Sequence, residues 1–133
     1  MECDILLCAA AANAAGKWKL LNTFDLSSGA VQYVADTTGC DELMIVTTEA
    51  ASASGQYVMW KGATIFPTML AEGSVLNMNY LPKETIAWQG RRNNSATDLL
   101  VRSEIAEGAN PSDNDLVISF QSATAGIIKV WGR

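Results

Sequence analysis

Apolar residues recur along this chain in short runs with a period of two. Trp18, Leu20, Phe24 and Leu26 fall at even positions, with Lys17, Lys19, Thr23 and Asp25 between them and Asn22 as an imperfect step. That spacing predicts a half-buried strand, because successive side chains of a strand point to opposite faces. Ser27-Ser28-Gly29 turns the chain, and Val31–Val34 is a shorter strand closed by Asp36–Gly39. Leu43-Met-Ile-Val46 is apolar at every position, which predicts a central strand covered on both faces. Ala50–Gly55 reads as a small-residue loop, Tyr57–Trp60 as a strand, and Ile65-Phe66 as a second short one ended by Pro67.

The same pattern continues to the last residues. Leu76, Met78 and Tyr80 alternate with Asn77 and Asn79 until Pro82, and Ile86 and Trp88 alternate before the polar stretch Gly90–Ser95. Leu99, Val101, Ser103 and Ile105 alternate with Asp98, Leu100, Arg102 and Glu104; Leu116, Ile118 and Phe120 follow Asn110–Asn114; and Gly126–Arg133 reads as a closing strand. No run keeps a helical period for three turns. Strands at this spacing, with Gly, Pro, Asn, Asp and Ser between them, predict an all-β fold. The expectation is an antiparallel, jelly-roll-like β-sandwich of about eight short strands.

With 133 residues the chain is one domain, able to bury about two-thirds of its unfolded surface in a single core. Residues 17–133 are assigned to the sandwich and residues 1–16 to an N-terminal arm. Within the arm, Ile5–Ala12 superficially resembles a signal-peptide core, but Glu2 and Asp4 stand where such a peptide needs Lys or Arg. The run also falls below the roughly 20 apolar residues that span a bilayer, so no membrane insertion is expected. Ile5, Leu6 and Leu7 are the candidate partner contact: too apolar to favour water and too few for a core of their own.

Charge and composition narrow the chemistry. The net charge is −5 and the basic residues are scattered, which argues against nucleic acid as a partner. Histidine is absent, which removes the commonest general base and the commonest metal ligand. No phosphate-binding glycine motif and no nucleophile elbow occurs. The odd count of three cysteines, Cys3, Cys8 and Cys40, without a CxxC pair suits reduced thiols made in a cytoplasm, not a disulfide scaffold or a zinc site. Asp113-Asn-Asp115 lacks the rest of a calcium loop and reads as turn chemistry. The residues thus predict no enzyme, no cofactor and no metal. A candidate ligand loop remains at Arg91, Arg92, Asn93 and Asn94 beside Trp88, where a glycan or acidic partner would find donors on a rigid scaffold.

Three segments carry a likeness. Trp18–Leu26, Asp41–Val46 and Ile127–Arg133, with their "W-x-L-hydrophobic", "E-L" and "I-K-V-aromatic-G-R" patterns, resemble small β-sandwich modules of phage virion structural proteins. The resemblance implies a non-enzymatic protein of the virion, made in the host cytoplasm and forming homo-oligomers such as trimers with other virion proteins as neighbours. With no long shaft ahead of the module, it implies capsid decoration or a fibre tip. The competing expectation is a carbohydrate- or receptor-binding module that recognises a host surface glycan through the loops at Ala50–Gly55 and Arg91–Ser95. A prediction from composition alone concerns the thiols: iodoacetamide added to unfolded, unreduced protein should modify all three cysteines, and a stable disulfide would contradict the reducing compartment.

Overall fold

The computed structural model describes residues 17–92 and 102–133, and its regular structure is almost entirely strand. Ten strands occur among the described residues: β1 (Lys19–Asp25), β2 (Gln32–Asp36), β3 (Glu42–Ser54), β4 (Tyr57–Trp60), β5 (Ala63–Ile65), β6 (Val75–Tyr80), β7 (Ile86–Arg91), β8 (Ser103–Ala106), β9 (Asp115–Ser119) and β10 (Ser122–Gly132). A single 3-10 turn, Leu26–Ser28, links β1 to β2; Asp25 caps it by accepting from the Ser27 N–H at 3.0 Å, and Gly29 leaves it at φ +80°. Ten strands therefore replace the eight or so expected.

The strands form a six-stranded sheet, β1-β10-β3-β6-β7-β8, and a four-stranded sheet, β2-β9-β4-β5. Every pairing is antiparallel. The pairs β1–β10, β2–β9, β3–β6 and β4–β5 are nested one inside the next, as when a long hairpin is rolled up on itself. That wrapping is the jelly roll, and the β7–β8 hairpin extends its larger sheet. One apolar core lies between the sheets, centred on Leu43, Ile45, Trp60, Leu76, Met78, Ile118, Ile128 and Val130.

The doubly apolar segment behaves as its pattern predicts. Leu43 and Ile45 of β3 enter the core, while Met44 and Val46 belong to a separate apolar cluster with Val75. Its neighbours are β10 on one side and β6 on the other, so β3 is central. The hairpin between β4 and β5 is equally direct. Lys61 (φ +50°) and Gly62 (φ +77°) both take positive φ, as a two-residue type I′ turn requires.

Four expectations are corrected. Trp18 to Leu26 do not share one face, because the register with β10 shifts between Leu20 and Asn22. Asn22, the imperfect step, thus sits at a β-bulge, which reverses the side-chain alternation. Phe24 and Leu26 pack on the core, whereas Trp18 packs on the second cluster. Ala50–Gly55 is not a loop: β3 continues to Ser54, paired with the first half of β10. Small side chains allow this close approach, since a Cβ at Gly126 (φ +127°) would lie 2.7 Å from the Ala51 Cα. Phe66 lies just beyond β5, 70% exposed. In β8 the expected faces are exchanged. Ile105 pairs with Ala87 and is 68% exposed, while Glu104 stands opposite the buried Trp88. At a sheet edge the opposing layer runs out, so alternation no longer decides burial.

Gly126 and Gly29 separate two costs of replacing a glycine. Both have positive φ, but no atom lies within 4 Å of a Cβ at Gly29. Gly29→Ala should lose about 1 kcal/mol from backbone conformation alone. Gly126→Ala also drives a methyl into the β3 backbone and should lose at least about 3 kcal/mol. Urea-unfolding midpoints of the two variants would give the comparison.

Candidate functional site

The outer face of the six-stranded sheet is half apolar and half polar. Register places Leu20, Trp131, Met44, Asn77, Gln89 and Ser103 in one row across all six strands. A neighbouring row runs Thr23, Lys129, Val46, Val75 and Arg91. Met44, Val46 and Val75 are buried there, with Trp18 and Trp131 packed against them. This second apolar layer lies on the side away from the sandwich core. Leu20, in the same row, is 44% exposed. The Arg133 guanidinium sits 4.3 Å from the centre of the Trp18 ring, and its Nε donates to Glu42 at 2.6 Å, which ties the end of β10 to both β3 and the segment entering β1. Trp131 keeps its indole N–H buried without an acceptor among the described residues.

One end of the sandwich carries most of the described polar chemistry. Trp60 donates its indole N–H to the Thr37 hydroxyl at 2.9 Å, and Thr37 in turn donates to the Asn114 carbonyl. The type I′ turn swings Lys61 back over its neighbours, with its ammonium 4.8 Å from the Tyr80 ring centre and 5.7 Å from that of Trp60. Lys61 is buried with this cation–π stack as its anchorage. Beside it opens a cleft of about 490 Å³ lined by Asp41, Glu42, Asn79, Tyr80, Pro82 and Lys83. Cys40 lies at the same end, where burial pushes its thiol up; Asp41 and Asp36 act in the same direction and Lys19 and Lys61 oppose it. A thiol so placed is a poor nucleophile at neutral pH.

A second cleft, about 320 Å³, opens between β5 and β8, where the two sheets part at their margins. Trp88, Thr64, Phe66, Glu104, Arg102 and Ile105 line it. Arg102 and Glu104 form an ion pair at 3.1 Å with both side chains about half exposed. Phe66 is held from behind by Tyr57, ring centres 6.2 Å apart.

The residues singled out from sequence are dispersed relative to these features. Arg91 belongs to β7, paired with Val75, and not to a loop; Arg92 is exposed just after it. Asn93 and Asn94 lie outside the described residues, as do Ile5, Leu6, Leu7, Cys3 and Cys8. Cys40 is free. Asp113 accepts from the Asp115 N–H and Asn110 from the Ser112 N–H, so the acidic stretch before β9 is built from side-chain turns. Among the described residues no cluster of three His, Cys, Asp or Glu side chains could hold a metal ion, and no helix is long and apolar enough to cross a membrane. Sequence reasoning missed the cleft between β5 and β8. Its walls come from segments about 40 residues apart whose meeting depends on the rolled topology.

Comparison with protein-family models, with curated proteins and with solved structures finds no match to this chain.

The tryptophans supply a test of the two layers. Trp60→Phe removes the donor to Thr37 and leaves a void in the core, and should cost about 2–3 kcal/mol. Trp131→Phe removes a donor that has no acceptor from a partly exposed site and should cost under about 1 kcal/mol. Guanidinium unfolding followed by far-UV circular dichroism would separate them.

Proposed function

We propose that this protein is a non-enzymatic structural component of a phage virion, a capsid decoration or fibre-tip subunit that forms homo-oligomers. The observation that carries this reading is the second apolar layer on the outer face of the six-stranded sheet. A monomeric sandwich needs one core, between its sheets. This one also buries Met44, Val46 and Val75 on the opposite face beneath Trp18 and Trp131, and leaves Leu20 exposed beside them. We read this outer layer, with Leu20 exposed and Trp18 and Trp131 only partly buried at its surface, as the seat of contact with another protein. The likeness of Trp18–Leu26, Asp41–Val46 and Ile127–Arg133 to phage sandwich modules supports the same reading.

Lys17 and Trp18, which lead into β1, follow residues 1–16 in the chain, and Trp18 packs on this layer. The apolar run from Ile5 to Ala12 is the natural partner for a neighbouring subunit or particle surface. Burying Ile5, Leu6 and Leu7 would contribute roughly 1.5–3 kcal/mol each before ordering costs are subtracted. Deleting residues 1–15 should leave a folded, β-rich domain while lowering oligomer size and incorporation into particles. Circular dichroism checks the first outcome; light scattering and the copy number in purified particles check the second. Retained assembly would remove the arm from the mechanism, and loss of fold would assign it to the core.

A further inference from the structure

The cleft between β5 and β8 is unrelated to the attachment face, and its lining has a distinct chemical character. Its lips are apolar and exposed, Phe66 at 70% and Ile105 at 68%. Within it lie an ion pair, Arg102 with Glu104, and the Thr64 hydroxyl. Trp88 also lines it, with a buried indole N–H that has no acceptor among the described residues. Phe66 is backed by Tyr57, so the exposed ring is supported and not a loose side chain.

From these residues we infer that the cleft is a saccharide-binding site. A pyranose presents an apolar face of C–H groups and a rim of hydroxyls, each both donor and acceptor. The supported Phe66 ring offers a platform for the first. The guanidinium and carboxylate, 3.1 Å apart, offer a donor fork beside an acceptor pair for vicinal hydroxyls. Being half exposed, the pair is already hydrated, so exchanging water for sugar hydroxyls requires no deep desolvation. The volume of about 320 Å³ fits one or two sugar rings. A peptide strand is the less suited occupant. β5 has three residues and stops before Pro67, and β8 has four and carries Glu104, so both margins are short and one is charged. Such edges discourage strand addition.

The larger cleft beside Lys61 has a different make-up. Its aromatic ring, Tyr80, is buried and already engaged by the Lys61 ammonium, which leaves no exposed ring for a sugar face.

Saturation-transfer NMR of the full-length protein with maltose, cellobiose, lactose, N-acetyllactosamine and chitobiose tests the site. At least one disaccharide should receive transfer and shift the Trp88 indole N–H resonance, assigned with Trp88→Phe. Phe66→Ala and Arg102→Ala, both exposed and expected to fold as judged by circular dichroism, should each weaken that binding at least about tenfold. Lys83→Ala, in the other cleft, should leave it unchanged. Absence of transfer to every sugar overturns the assignment, as does transfer that both cleft variants retain. A change of oligomer size in Phe66→Ala on gel filtration, without sugar binding in the parent, would instead make this margin a contact between copies and also overturn it. Particle incorporation is read separately, so failure here does not bear on the attachment role.

Discussion

The pairing of β3 with β10 is the constraint from which the remaining architecture follows. Because Leu43 to Val46 are apolar on both faces, β3 is unstable at a sheet edge or with one face in water. It must have strands on both sides and apolar cover above and below. β10 provides one flank and β6 the other. Antiparallel pairing with the last strand brings the two ends of the domain together and leaves β1 to close the margin beyond β10. The smaller sheet then covers one face of β3 through Ile118, Val58 and Trp60, while Trp18 and Trp131 cover the other.

Close approach between β3 and β10 is maintained by their unusual composition. Ala50, Ala51, Ser52, Ala53 and Ser54 have little volume, and the ladder shifts register three times along its length. Each shift re-aims the following side chains. One accommodates Gly126 against Ala51, and another lets Ile128 reach the core while Trp131 emerges on the outer face. The outer apolar layer lies on the regular part of this ladder, where Trp131 pairs with Met44.

Much of this was readable from local pattern. The strand runs at Tyr57–Trp60, Leu76–Tyr80 and Leu116–Phe120 alternate cleanly because each is backed along its length by the opposing sheet. Sequence reading failed where a non-local contact overrides alternation. Asn22 looked like a flaw in one face and is a bulge that divides two faces. The Ala/Ser segment resembled a loop because its strand character comes from its partner, not from its own propensity. Ile105 resembled core because nothing in its neighbours signals that β8 is the last strand of its sheet. Of the candidate site, the apolar N-terminal run and the basic pair were visible as composition, but the cleft was not. Phe66 and Arg102 come to line one cleft only through the rolled topology.

The two proposed roles use different residues of one sheet. The apolar layer spans β10, β3 and β6, with Trp18 just ahead of β1 packed on it, and the cleft opens beside β8, the far edge strand. At the usual strand spacing β6, the member of the layer nearest the cleft, lies roughly 10 Å from β8, and β1 roughly 24 Å. A subunit held through Trp18 and Leu20 on the β1 side would leave its β8 edge open to a small ligand. On these proposals attachment and recognition would rest on separate residues of one jelly roll, so that Phe66 or Arg102 could be altered without touching Trp18 or Leu20.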